Sequence, residues 1–224
     1  TQEFSAVKKD PTSWLITDGI MPKAFPAILS EDKKVEKIRL DSAQEISETF
    51  NKGGKNSPFS NAGVMVGGVV YTARVTPEIE QIKTLRSILV EESDVPEEFY
   101  IPKSQLKSWK ILKGGKTEQR KSKSGFEYKY TEGPVAFPDN LDKPSRTIVT
   151  GEGGSTPSRF KHVAEVSPGK YRRLMPIELE RLSMFDDNHT SGASDNVRAF
   201  FIGNALVVGV VERIGKELSR RIND

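Results

Sequence analysis

The chain has no cysteine and only two histidines, His162 and His189, in 224 residues. Without a thiolate there is no thiol nucleophile, no disulfide scaffold and no zinc site built on cysteine. Two imidazoles are too few for a histidine-built metal centre. Long apolar runs are missing too. No stretch approaches the roughly 18 residues of a membrane helix and no signal peptide opens the sequence, so neither a membrane protein nor a secreted disulfide scaffold is expected. Hydrophobic residues make up 35% of the chain and mean hydropathy is −0.50, which argues against one thickly buried core. No charge of one sign dominates: 34 basic and 31 acidic side chains leave a net +3. What matters is how that charge is distributed.

Residues 1–45 alternate short apolar runs with charge, and Pro11, Pro22 and Pro26 interrupt them, so the stretch reads as loop-rich with one or two edge strands. Asn51–Pro58 is a loop signal. Val64-Met65-Val66 and Val69-Val70-Tyr71 flank Gly67-Gly68, a hairpin closed by a two-residue glycine turn. Ile82, Leu85, Ile88 and Leu89 fall at helical spacing, and Ser104 is placed to cap a helix carrying Leu106 and Trp109. Strands are expected over 146–149 and 160–163. Pro176 suits the first turn of a helix, and a final helix is expected from Val207 onward.

Basic charge concentrates between Lys103 and Lys129, where nine cations, among them Arg120, Lys121 and Lys123, meet only Glu118 and Glu127. A loop or strand pair with that excess suits a phosphate backbone; a solvated surface balanced by acids elsewhere is the equal alternative. The Gly151–Ser158 loop offers backbone N–H groups and the hydroxyls of Ser155, Thr156 and Ser158, followed by Arg159, Lys161 and His162. An ordinary flexible loop is the simpler reading of the same residues. Lys113-Gly114-Gly115-Lys116-Thr117 imitates the end of a phosphate-binding loop but lacks that motif's opening glycine and preceding strand.

Toward the C-terminus a resemblance reorganises these signals. Arg172-Arg173-Leu174-Met175-Pro176-Ile177-Glu178-Leu179-Glu180-Arg181-Leu182, followed by Phe185-Asp186-Asp187-Asn188, resembles the ninth conserved block of DNA (cytosine-5) methyltransferases. Phe201-Ile202-Gly203-Asn204-Ala205-Leu206-Val207-Val208 resembles the tenth, in the right order and at the right spacing. Pro144–Thr150 is similar to the strand that ends the family's target recognition domain, and Thr84–Leu89 with Val95–Tyr100 fit the stretch after the eighth block. Met175 stands where the family usually has threonine. Met184 and Asp186 replace the glycine and proline that commonly bracket Phe185.

The resemblance implies an α+β fold: a twisted, mostly antiparallel recognition domain with short helices, then two C-terminal helices belonging to the α/β methyltransferase domain. It divides the chain into a lead-in (1–45), a recognition domain (46–170) and a returning segment (171–224). The family's Pro-Cys nucleophile, its glycine-rich block for S-adenosylmethionine and its Glu-Asn-Val block are absent, so the chain resembles a C-terminal half, inactive alone. Its first residue, Thr1, agrees with a fragment or a split subunit. The implied partners are double-stranded DNA and an N-terminal catalytic half, in cis or as a separate subunit, with no membrane, in the bacterial cytoplasm at the nucleoid. Arg159 is expected to read a base, because arginine to guanine is the commonest specific contact, while Arg146, Ser158, Lys161 and His162 meet phosphate. Gly203, Asn204 and Ala205 would complete the methyl-donor pocket, and Arg172 and Arg173 would tie the recognition domain to the catalytic one. A stand-alone duplex-binding module that has lost catalysis is the alternative.

Overall fold

The computed structural model describes residues 10–30, 34–39 and 59–223. The expected boundary at residue 46 and the Asn51–Pro58 loop lie outside them. The described residues form an α+β protein that divides into two units, one running to Glu80 and resuming at Val210, the other spanning Gln81–Gly209.

Among its described residues the first unit opens with helix where its prolines suggested loops, and the edge strands expected before residue 45 follow. Asp10 accepts a hydrogen bond from the amide of Thr12 and Pro11 occupies the first turn of α1 (Pro11–Ser13), where its missing N–H costs nothing. A widened turn, Trp14–Asp18, follows and closes where the Gly19 amide donates to the Trp14 carbonyl at 2.9 Å. Only glycine fits there, because a Cβ would lie 2.3 Å from that oxygen. After α2 (Ile20–Ala24) come β1 (Ala27–Leu29), β2 (Glu36–Arg39), β3 (Ala62–Val66), β4 (Val69–Ala73) and β5 (Val75–Pro77). The glycine turn forms as its sequence demands, with φ of 56° at Gly67 and 75° at Gly68. β2, β4 and β3 make an antiparallel sheet in that order, and β1 pairs with β5.

The second unit begins with 3₁₀ turns. Leu85–Ile88 is one of them, not the amphipathic helix that its spacing suggests. The amides of Leu85 and Arg86 donate to the carbonyls of Lys143 and Leu141, while those of Ser87 and Leu89 close the tight turn on Thr84 and Arg86, so half of this backbone bonds across the unit. Ser104 lies inside another such turn, and α3 (Leu106–Lys113) starts after Gln105. Then follow β6 (Lys116–Lys121), β7 (Glu127–Glu132), β8 (Val163–Ser167) and β9 (Lys170–Arg173), paired as two antiparallel hairpins. Residues 146–149 and 160–162 are not strand; β8 starts at Val163.

The chain ends in three helices and not two: α4 (Pro176–Leu182), α5 (Asp195–Asn204) and α6 (Val208–Asn223). Pro176 opens α4, and the Glu178 carboxylate accepts the Met175 amide at 2.7 Å to close its first turn. Leu179, Ala199 and Ile202 from α4 and α5 pack with Leu85, Ile88, Leu141, Ala164 and Leu174 in one buried cluster. A second joins Ile101, Trp109 and Val163. The division expected at residue 171 therefore cuts through a shared core. From Val210 on, α6 belongs to the first unit, where Arg213 pairs with Glu80 and Arg221 lies over the Trp14 ring. Its Val210, Val211, Leu218 and Ile222 are exposed.

Candidate nucleic-acid interface

The basic stretch forms a ribbon. β6 and β7 pair from Lys116↔Glu132 to Lys121↔Glu127 and reach a tip at Ser122–Phe126, where Lys123 and Phe126 are exposed. None of its residues joins either buried cluster, so the hairpin stands clear of the unit's body. A bare two-stranded hairpin is marginal in water, and two devices hold this one. Along one face the Arg120 guanidinium lies 3.6 Å over the Tyr130 ring and also bonds Glu118, while the Tyr130 hydroxyl bonds Glu132. The Arg120 hydrogen bond holds the Glu118 carboxyl below its ordinary range.

The second device is Arg159. Its guanidinium donates to the carbonyls of Leu112 and Gly114, at 3.2 and 2.7 Å, and of Gly133, and it pairs with Glu132 at 3.3 Å. Those groups flank both feet of the ribbon, so the arginine expected to read a base is a clasp, with its side chain only 11% exposed.

The loop behind it is equally inward-looking. Lys161 is 4% exposed, and its ammonium donates to the carbonyls of Gly154 and Thr156 at 2.8 and 2.9 Å. Burial lowers its pKa. His162 is fully buried: Nδ1 bonds Glu152 at 2.7 Å and Nε2 meets the Ser145 hydroxyl at 3.0 Å. Neither side chain has a face to offer a phosphate, which corrects the role expected of both. Arg146 is mostly buried on Asp139 at 2.8 Å. Lys113, which sequence reasoning left in the basic surface, is buried with its ammonium on the Lys161 carbonyl at 2.6 Å, and desolvation brings its pKa down to about 8. Of the side chains expected to meet DNA from this loop, Ser155 and Thr156 stay exposed and Ser158 is half-buried. Arg120, Lys121 and Lys123 lie on the ribbon, with Lys103, Lys107 and Lys110 exposed just before it.

Arg172 is buried in a two-pronged pair with Glu178 at 2.8 and 2.9 Å and also bonds Glu92, while Arg173 donates to the carbonyls of Gly154 and Glu98. All these partners belong to the same unit, so both arginines tie the unit to itself. At the end of α5 the expected trio separates. A Cβ on Gly203 would meet Thr150 backbone at 2.5 Å; Asn204 donates to the Phe200 carbonyl within its own helix at 2.9 Å. Ala205 lines a cleft of about 600 Å³ with Phe185, Thr190, Phe201 and Ile202.

Residues 31–220 match the family of C-5 cytosine-specific DNA methylases. The chain belongs to this family. It is 35% identical over 218 residues to the type II methyltransferase M.Sau3AI of Staphylococcus aureus, an alignment that covers 96% of this chain and 50% of that relative. The chain thus spans about half the length of the curated relative it matches. Met184 has φ of 62°, the left-handed conformation that glycine adopts freely.

Proposed function

We propose that this chain supplies the duplex-recognition part of a DNA (cytosine-5) methyltransferase of the restriction–modification type, while another stretch of polypeptide carries out methyl transfer. One observation carries the reading: a chain that belongs to the cytosine C-5 methylases contains no cysteine, the residue with which that family attacks its base. The match to half of a longer relative supports it. The remaining half, joined in cis or as a separate subunit, is the proposed partner, and double-stranded DNA the substrate.

S-adenosylmethionine supplies the methyl group in such an enzyme. The cleft beside Ala205 fits it as one wall only: aromatic rings and hydroxyls line it, with no carboxylate among them to hold a ribose. Ala205, Phe201 and Phe185 would cover the methyl donor, while Gly203 keeps the end of α5 against Thr150 and Asn204 caps its own helix. The exposed cations of α3 and the ribbon hold the duplex by neutralising phosphates.

The test mixes the chain with a separately purified polypeptide bearing the family's Pro-Cys and glycine-rich blocks, and measures methyl incorporation into duplex DNA. Neither component alone is expected to transfer a methyl group, and the mixture is. Duplex binding without restored transfer would instead favour a stand-alone binding module. No duplex binding at low salt would overturn the reading altogether.

A further inference from the structure

The two faces of the β6–β7 ribbon are chemically unlike. On one, Lys116, Glu118, Arg120, Tyr130 and Glu132 are occupied with one another: the Lys116 ammonium lies 3.6 Å from Glu118 and 3.5 Å from Glu132, and Arg120 is stacked on Tyr130. On the other, Thr117, Gln119 and Lys121 stand opposite Thr131, Lys129 and Glu127, and every one of the six is exposed. At the centre of this open face Gln119 faces Lys129 directly. Neither side chain has a hydrogen-bond or ion-pair partner among the described residues, whereas the pairs on either side do: Thr117 with Thr131, and Lys121 with Glu127.

We propose that the ribbon enters the major groove with this open face toward the base edges, and that Gln119 and Lys129 read two neighbouring base pairs, an adenine and a guanine. The proposal rests on the duplex-binding function proposed above and names the residues that choose the sequence. Strands lie about 4.8 Å apart, and a major groove about 12 Å wide admits a two-stranded ribbon. The face is wrong for a phosphate backbone, since it presents an amide, two hydroxyls and the Glu127 carboxylate among only two cations. It suits base edges. A glutamine amide donates and accepts at once and so matches adenine N7 and N6, and a lysine donates to guanine O6 and N7. Directly opposed side chains have Cβ atoms about 5 Å apart, close enough to fall on successive base pairs stacked about 3.4 Å apart. Lys123 at the tip and Lys107 and Lys110 on α3, which precedes the ribbon, are exposed and available to phosphates. The Arg159 clasp on both feet fixes the direction in which the ribbon projects.

The experiment selects from a pool of short duplexes with randomised centres, using this chain at low salt. It then compares affinity for the enriched motif with affinity for a scrambled duplex. The expected motif contains an adenine next to a guanine, and guanine N7 within it is protected from dimethyl sulfate by the bound chain. Gln119→Ala should lower the motif-to-scrambled affinity ratio about tenfold through lost preference at the adenine, and Lys129→Ala by a similar factor at the guanine. Misfolding would lower both affinities and leave the ratio of the remaining binding unchanged; circular dichroism of both variants checks for it. Binding that enriches no motif, or a motif that both variants read as the parent chain does, overturns this assignment while duplex recognition stands. Failure to bind any duplex removes both.

Discussion

The ribbon at 116–132 and the loop at 151–162 are built from similar residues, rich in lysine, arginine, serine, threonine and glycine, yet they use their cations in opposite directions. In the loop Arg159 and Lys161 turn inward, and in the ribbon Lys121 and Lys123 stay in solvent. The difference follows from backbone accounting. The carbonyls of Leu112, Gly114, Gly133, Gly154 and Thr156 have no strand or helix partner, and a hydrogen bond from a charged donor contributes about 1.5–3 kcal/mol where it is shielded from water. Arginine and lysine are donors only and long enough to reach them. In the ribbon the ladder between β6 and β7 already pairs the carbonyls, so none of its cations is drawn to the backbone, and Lys123 and Lys129 have no ion-pair partner among the described residues. Whether a cation can meet DNA is thus decided by what the backbone around it still needs.

Replacing Arg159 by alanine tests this contrast most severely. It leaves three carbonyls without their donor, and the unfolding free energy in denaturant should fall by about 3 kcal/mol, with faster amide exchange across residues 116–132. Were Arg159 a base reader instead, stability would change by less than about 0.5 kcal/mol and only duplex discrimination would suffer.

A smaller effect comes from Lys113, whose burial depresses its pKa to about 8. The folded chain then binds fewer protons there than the unfolded chain between about pH 8 and the ordinary lysine value, so stability rises with pH across that window. Between about pH 7.5 and 9.5 the protein should gain about 2 kcal/mol relative to the Lys113→Met variant. Parallel stability curves for the two would show that Lys113 is not desolvated. The smallest effect separates the two regions directly. Lys123→Ala should reduce the slope of log affinity against log salt by about 1, whereas Lys161→Ala should leave the slope alone and appear only as lost stability.

Where local chemistry decides structure, the sequence was legible. Gly67-Gly68 turned its hairpin and Pro176 opened its helix, each satisfying a rule that operates within a few residues. Leu85–Ile88 misled because helical spacing describes side chains, while the amides of Leu85 and Arg86 bond the 141–143 segment. The ribbon was left open as loop or strand pair because both its faces are polar, and without an apolar face the alternation of period two has nothing to mark it. Lys161 and His162 looked like ligand groups because their internal partners are carbonyls and the Glu152 carboxylate, and neither composition nor spacing registers those. At the end of α5 a structural demand was equally hidden: Gly203 is required by the Thr150 backbone that it touches, which lies far away in sequence.

The separation of the β6–β7 hairpin from both apolar clusters has an evolutionary corollary. A segment anchored only at its feet can diverge, residue by residue or as a whole, without cavities or clashes arising elsewhere. Methylases sharing this scaffold could therefore acquire new target preferences by exchanging one short cassette between Gly115 and Gly133, and laboratory grafts should be made at those same two joints.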